Sequence, residues 1–554
     1  PVRRGLRFSQ DPGGPTRTPR RGRPYARVDR PTAGAHRPRS RRPGPGGDRP
    51  RDHGGDRGRA AGRFRPADAR TRRRRIVTRG DRGAERVAAI VLAAGRSSRF
   101  GRDKLSASLK GRPVLQHVLD ALAVVDIDDP VVIVGTDEQH ATAIDWRAAR
   151  RIRNAEPDRG LSHSLQLGWS AVMATSPPPG VVLVTLGDQP ATDPTTIRRL
   201  LAEPLDPDRP ILSARHADGS RNPVRLEPAA ADLVAEATRD RGLGPLMDLH
   251  PDRVRELPVS GMNPDVDVPA DLVALIAADW ADRVRANADQ VAQVRATPDE
   301  ADFYAPVTRM FVVDPGRRDD PVLDALLALA RPAETWLDIG AGAGRYALPI
   351  AAVASGVIAL DPSSSMLEAL RNGAARAGIG NVRAVEGRWP PEADTRAELG
   401  PDPVADVSLL AHVGYDVELI VPFLDAMEAA ARRLCVAVMM AESPAAIAAP
   451  FWPLVHGRER IALPALPEFL ELLEARGVRP EVSIVASERR RWQDRDELRA
   501  FLRRQLWTSP GSEADQRLDA AITDLTESTS DGGIQLAGTP SRDIGVVRWS
   551  PGAS

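Results

Sequence analysis

Twice in this chain a short apolar run breaks off in a glycine-bearing loop, and a helical pattern starts soon afterwards. A parallel sheet with helices on both faces needs such junctions. The strand ends at a buried edge, the backbone turns sharply, and its N–H groups can face a ligand. The first junction is Val87-Ala88-Ala89-Ile90-Val91 running into Leu92-Ala93-Ala94-Gly95 and on to Asp103-Lys104. The second is Thr335-Trp336-Leu337-Asp338-Ile339 running into Gly340-Ala341-Gly342-Ala343-Gly344. Strand-like and helix-like runs alternate around both. The expectation is an α/β chain with two doubly wound domains, each binding its ligand at the carboxyl ends of its strands.

A length of 554 residues accommodates two or three domains. Residues 1–85 are dense in Arg, Gly and Pro and nearly free of Leu, Ile and Val, so they are expected to be a disordered basic leader. Three readings of it stand open: an electrostatic contact to nucleic acid or acidic surfaces, an inert tail, or upstream DNA translated through a wrongly assigned start. The opening Pro1 favours the last, and the sparse aromatics Phe8, Tyr25 and Phe64 speak against base stacking. The formal net charge is only +2, so the chain beyond this leader is mildly acidic, as in an ordinary enzyme of small-molecule substrates. The lone Cys435, in an apolar run, excludes an internal disulfide and any cysteine cluster for metal. No apolar stretch approaches the roughly 20 residues of a membrane span and no signal-peptide pattern is present, so the default compartment is the cytoplasm. The expected domains are 86–277 and 301–554, with 278–300 as a linker, a charged, alanine-rich mobile helix-plus-linker.

Lysine is almost absent: two of 77 basic residues, and one of them, Lys104, ends the first glycine loop. A compact ammonium on a flexible stem suits a point contact to phosphate where a planar guanidinium is too wide. Small residues at Ala93, Ala94 and Gly95 let the backbone approach a ligand, and Arg99 adds charge. Further on, Val181–Leu186 delivers Asp188, in Gly187-Asp188-Gln189-Pro190, to the ligand edge of the same sheet, where a carboxylate can hold Mg²⁺ against nucleotide phosphates. Asp265-Val266-Asp267 stands just before a helix and either completes that metal site or caps the helix.

These segments together resemble the MobA-like nucleotidyltransferases, within them the molybdenum-cofactor cytidylyltransferase branch. Gly160–Gly168 looks like that branch's loop lining the base pocket, and Asn222-Pro223-Val224 and Asp240-Arg241-Gly242 fall where its later motifs stand. The resemblance implies that Leu92, Ala93, Ala94, Gly95 and Ser164 meet the nucleotide, Lys104 and Arg99 its phosphates, and Asp188 with Asp267 the Mg²⁺. It also implies CTP as donor, a phosphorylated acceptor such as the molybdopterin cofactor, and a molybdoenzyme as partner. Guanylyl transfer and transfer to a sugar phosphate remain the alternatives.

In the second half, Gly356–Asp361 reads as the next strand and ends in an acid 17 residues beyond Gly344. A glycine loop with a carboxylate at the next strand tip grips an adenosine-type ligand, which leaves a dinucleotide oxidoreductase as a competitor. Asp338 before the glycines, and Pro362 with Met366 after Asp361, resemble class I S-adenosylmethionine-dependent methyltransferases instead. Both halves are thus Rossmann-like. The second resemblance implies that Gly340, Gly342 and Gly344 pass beneath S-adenosylmethionine, that Asp338 meets its amino-acid end and Asp361 its ribose, with Met366 beside them. His412, after the fourth expected strand, stands on the methyl-acceptor side, as a base or as a hydrogen-bonded loop residue. Phe451-Trp452-Pro453-Leu454 and Trp492 offer apolar surface for the acceptor, or core. The expected protein is a bifunctional enzyme, with a non-catalytic cofactor-binding sensor as the alternative for the second half.

Overall fold

The computed structural model describes residues 86–135, 143–238, 242–295, 302, 305–486, 489–538 and 543–552. The basic leader, Asp240 and Arg241 lie outside the described residues. The first sheet contains β1 (Val87–Ala93), β2 (Val131–Val134), β3 (Arg150–Arg153), β4 (Val181–Leu186), β5 (Ile211–Arg215), β6 (Val224–Leu226) and β7 (Val254–Pro258), in spatial order β3-β2-β1-β4-β6-β5-β7. All neighbours pair parallel except β6, which runs antiparallel to β4 and β5. Alternation along β1 explains its central place. Ile90 and Leu92 enter a core with Leu165, Trp169 and Val172, whereas Ala89, Val91 and Ala93 enter the opposite one with Val118, Leu122 and Ile197. The edge strand β3 reads Arg-Arg-Ile-Arg and lies largely exposed, so no apolar run announced it.

One expectation changes here. Gly160–Gly168 is no loop beyond its first residue: Gly160 turns the chain at φ 87°, and Leu161–Met173 is an α-helix. Leu161, Leu165, Trp169 and Val172 form its apolar stripe. Gly168 is the point of closest approach to the sheet, since a Cβ there would come within 2.5 Å of Ile90 Cγ2.

The second sheet contains β8 (Thr335–Ile339), β9 (Gly356–Asp361), β10 (Val382–Glu386), β11 (Ala405–Ala411), β12 (Ala431–Met440), β13 (Glu481–Ala486) and β14 (Asp543–Trp549). Their order is β10-β9-β8-β11-β12-β14-β13, parallel through β12, with β14 antiparallel to both β12 and β13. Cys435 is fully buried on β12, and burial pushes its thiol far up, so it is core. Phe451, Trp452 and Trp492 are also core, packed with Leu498, Leu502, Leu518 and Ile522 in a helical layer. Among the described residues no helix is long and apolar enough to cross a membrane.

The stretch expected as a linker from residue 278 is, up to Val294, part of one helix, Pro269–Val294. Leu272, Ile276, Trp280 and Val284 recur every fourth position and are all buried, a single apolar stripe that a count of large residues overlooks. Trp280 Nε1 donates to the Val417 carbonyl at 2.9 Å, Asn287 Nδ2 to Ile461 O at 2.5 Å, and Gln290 Nε2 to Glu459 O at 2.7 Å. This helix therefore leaves the acid pair of the first half and docks along the second.

Candidate functional site

In the first half the carboxyl ends of β1 and β4 lie side by side, tied by the Gly187 N–H to Leu92 O hydrogen bond at 2.9 Å. The acid-pair segment is fastened to the same edge, with the Val266 N–H donating to Asp188 O at 2.9 Å. Val266 is fully buried, so strand-like alternation sends Asp265 and Asp267 to its other side. Lys104 comes in from the glycine loop and is only 8% exposed. Its ammonium donates to Asp188 Oδ2 at 2.5 Å and to Asp267 Oδ1 at 3.0 Å, while Arg99 donates to Asp267 Oδ2 at 2.9 Å. Two acids, a lysine and an arginine from three separate segments thus meet at one point.

The electrostatics follow from that arrangement. Burial acts to lower the pKa of Lys104, but the charges and hydrogen bonds of Asp188 and Asp267 outweigh it and hold the ammonium more basic than usual. Burial likewise works to raise the pKa of Asp267, and Lys104 and Arg99 override it downward. At Asp265 the compensation, a hydrogen bond with Gln189 and the charge of Lys104, is too weak. Burial first, then the charges of Asp188 and Asp267, push its carboxyl up to about 6. Asp271, the further acid of this segment, is the helix cap: its carboxylate accepts the Asp267 and Val268 N–H groups at 2.8 and 2.9 Å.

Among the described residues no group of three or more His, Cys, Asp or Glu side chains is arranged to hold a metal ion by itself. The donor set nevertheless fits Mg²⁺. Asp188 and Asp267 already converge on one cation, and Mg²⁺ takes one or two carboxylates and fills its octahedron with phosphates and water. The remaining expected nucleotide residues divide. Ala93 and Ala94 are buried at the loop entrance and Gly95 is exposed. Leu92 points into the core, leaving its backbone at the edge, and the buried Ser164 hydroxyl accepts from Asn154 Nδ2 at 3.0 Å.

In the second half the glycine loop leaves β8 with Gly340, Gly342 and Gly344 at φ 77°, 53° and 86°, values that L side chains rarely adopt. At Gly340 a Cβ would also lie 2.5 Å from Val413 Cγ2. Asp338, 2% exposed, stands just before the loop, and its Oδ1 is buried without a partner. Burial, with the charge of Asp361 added, pushes its carboxyl up to about 7. Asp361 at the tip of β9 accepts the Gly342 N–H at 2.8 Å and the Ser363 N–H at 2.9 Å. Burial raises its pKa, against those two N–H groups, and Asp302 adds to the rise. S-adenosylmethionine fits these residues. It brings a cationic ammonium for the orphaned Asp338 oxygen and hydroxyls for Asp361, and Gly342, where a Cβ would meet nothing within 4 Å, leaves the loop open. Met366 is buried in the first turn of the helix Ser364–Ala377, its N–H capped by Ser363 Oγ.

His412 sits at φ 57°, off the end of β11, with its Nε2 3.2 Å from the Tyr346 hydroxyl and its Nδ1 buried without a partner. Burial, and then the charge of Arg345, lower its pKa to about 4. Sequence reading named Asp265 only as one of the acid pair and did not single out Tyr346 or Asp302. Asp302 is placed only by folding, which brings its carboxylate to the Ser363 and Ser365 hydroxyls at 2.9 and 2.7 Å.

Comparison with known proteins agrees with this division. Residues 89–254 match the family model described as MobA-like NTP transferase domain, and residues 337–399 the one described as methyltransferase domain. The chain therefore carries a nucleotidyltransferase domain fused to a methyltransferase domain. It is 34% identical over 115 residues to the bifunctional protein GlmU of Bordetella petrii, covering 20% of this chain and 25% of that protein. To the GlmU of Mycolicibacterium gilvum it is 27% identical over 289 residues, 47% of this chain and 55% of the other. The chain thus spans between a quarter and about half of the length of these curated relatives. Rv0371c from Mycobacterium tuberculosis H37Rv, a solved structure, is 28% identical and covers 35% of this chain and 98% of its own, with a TM-score of 0.31.

Proposed function

We propose that the chain is a bifunctional enzyme whose first half transfers a nucleotidyl group, cytidylyl by the Leu92-Ala93-Ala94-Gly95 resemblance, from a nucleoside triphosphate to a phosphorylated acceptor. An acceptor oxygen attacks the α-phosphorus, the α–β anhydride bond breaks, and pyrophosphate leaves. The observation that carries this reading is the Lys104 ammonium poised between Asp188 and Asp267 at the mouth of the glycine loop. An incoming triphosphate offers that ammonium a new partner, and Lys104 with Arg99 would then stabilise charge on the phosphate oxygens. Asp188 and Asp267, released from the ammonium, would hold Mg²⁺, which neutralises the phosphates when bound. With a molybdopterin acceptor, a molybdoenzyme would receive the product. A second reading, with a sugar phosphate as acceptor, draws on the similarity to the GlmU proteins.

The second half, in this proposal, transfers a methyl group from S-adenosylmethionine, whose sulfonium supplies the electrophilic methyl. Asp338 takes the cofactor's ammonium, Asp361 its ribose hydroxyls, and the glycine loop lets both approach. His412, with its pKa near 4, is neutral at pH 7 and a weak base, so its role is to orient the acceptor by hydrogen bonding through Nδ1. The test pairs CTP, GTP and UTP with Mg²⁺ and either a molybdopterin or a sugar 1-phosphate acceptor, scoring pyrophosphate. Release with CTP and molybdopterin supports the first reading, and release with the sugar phosphate supports the second. No release from any pair contradicts both.

A further inference from the structure

Two of the three segments of the nucleotide site are backed by the methyltransferase half. Phe100, next to Arg99 in the glycine loop, and Val266, between Asp265 and Asp267, are 4% and 0% exposed. Both belong to the hydrophobic cluster that contains Leu337 and Ile339 of β8 and Phe469 and Leu472 of the helix Leu466–Ala475. Just beyond Lys104 the chain makes a small hairpin, Ser108–Leu109 against Arg112–Pro113, with Lys110 and Gly111 at φ 55° and 70° at its tip. Leu109 is buried in the same shared cluster.

One carboxylate closes this hairpin. Glu471, on the helix Leu466–Ala475, accepts the Ser108 hydroxyl, the Lys110 N–H at 2.9 Å and the Gly111 N–H at 3.0 Å. Hydrogen bonds from backbone amides to an ionised carboxylate are charge-assisted and orient both partners. Arg102, in the glycine loop, pairs with Glu474 at 2.7 Å on the same helix, and Lys110 Nζ with Asp279 at 2.6 Å on the bridging helix. The hairpin is in turn locked to the lysine-bearing segment, because Val114 N–H bonds Ala107 O at 3.0 Å and Leu115 N–H bonds Leu105 O at 3.1 Å.

We infer that Glu471 of the methyltransferase half is a positioning residue for the nucleotide site of the other half: it fixes the hairpin, and through it the segment that presents Lys104. The inference rests on the reading of Lys104 and its two acids as the place where a triphosphate is bound. The fusion then has a physical meaning, since one domain's helix sets the geometry of the other domain's phosphate contact. The hydrogen bonds of Glu471 go to the hairpin and not to Asp338 or Asp361, so its removal is expected to spare the cofactor site.

The test uses the full chain with Glu471→Ala and Glu471→Gln. Titration calorimetry gives the dissociation constants for CTP with Mg²⁺ and for S-adenosylmethionine, and amide hydrogen exchange covers 97–113. Glu471→Ala is expected to raise the CTP constant at least about 5-fold, the lower end of usual site-to-site couplings. Glu471→Gln keeps one oxygen acceptor but sets its NH2 against a hairpin donor, because both carboxylate oxygens accept there. A rise smaller than that of Glu471→Ala is therefore expected. Binding of S-adenosylmethionine stays unchanged in both, which also reports an intact fold. Faster exchange over 104–113 accompanies the alanine variant. An unchanged CTP constant in Glu471→Ala overturns the inference, whether or not exchange rises. Wild-type protein that binds none of CTP, GTP and UTP overturns the nucleotide reading itself, an outcome distinguished by appearing without any substitution.

Discussion

The two candidate sites solve opposite electrostatic problems with the same sheet edge. In the first, cations and acids are already paired: Lys104 lies between Asp188 and Asp267, and Arg99 backs Asp267. In the second, Asp338 and Asp361 stand buried with backbone N–H groups or nothing as partners, and both are pushed toward the neutral form. The first is arranged to hand an ammonium to an anion, the second to receive a cation. A triphosphate and a sulfonium cofactor with its ammonium are ligands of those signs. The lesson is that glycine loops alone do not tell ligands apart. The charge left unpaired beside them does.

The largest effect that would break this contrast falls on the first site. Lys104→Met is expected to slow pyrophosphate release at least about 100-fold, the scale of removing one donor to a developing oxyanion, while leaving the binding of S-adenosylmethionine untouched. Asp338→Asn is the mirror experiment. It is expected to weaken S-adenosylmethionine binding about 10- to 100-fold by calorimetry, the worth of one charge-assisted hydrogen bond, with pyrophosphate release unchanged.

The pH dependence sharpens the contrast further. Binding the cofactor's ammonium favours ionised Asp338, whose carboxyl stands near 7 in the free protein. Below that value binding must expel a proton, so the dissociation constant should rise toward about tenfold per pH unit as pH falls. Above it the profile flattens, and Asp338→Asn abolishes the slope. The sign for stability runs the other way. Between the ordinary carboxylate value of 3.8 and about 7 the folded state binds more of this proton than the unfolded state. Asp338 therefore lowers the stability of the cofactor-free chain as pH rises through that window. Thermal unfolding with and without cofactor across that range measures both signs. A smaller effect is expected from Gly340→Ala, where φ 77° and the 2.5 Å approach to Val413 Cγ2 should cost about 1–3 kcal/mol in the unfolding free energy. The smallest belongs to His412→Asn, which tolerates the left-handed backbone. Its cofactor affinity should stay within about twofold of wild type if His412 serves the acceptor alone, a shift no larger than that of an ordinary surface substitution.

The sheet centres were legible in the sequence because buried parallel strands are continuous apolar runs, as in Val87–Ala93 and Val181–Leu186. Two edge strands were not: Arg150–Arg153 is charged and Glu481–Ala486 is largely exposed. The helix Pro269–Val294 was legible as a helix after the acid pair, but its docking along the second half was not. Its stripe is one residue wide per turn and is completed by Asn287 and Gln290, whose burial rests on partners almost two hundred residues away. Of the candidate site residues, Lys104 stood out by rarity, Asp188 by its place at a strand end and Asp267 by the acid pair before a helix, and folding brings the three together. Glu471 carried no local signal, because its meaning is the hairpin it touches from another domain.

The most direct measurement is a crystal structure of the full chain with Mg²⁺ and a non-hydrolysable CTP analogue. The account predicts that the Lys104 ammonium leaves Asp188 and lies within about 3 Å of a phosphate oxygen, as a hydrogen bond requires. A bound nucleotide with Lys104 still paired between Asp188 and Asp267, and its phosphates elsewhere, would contradict it.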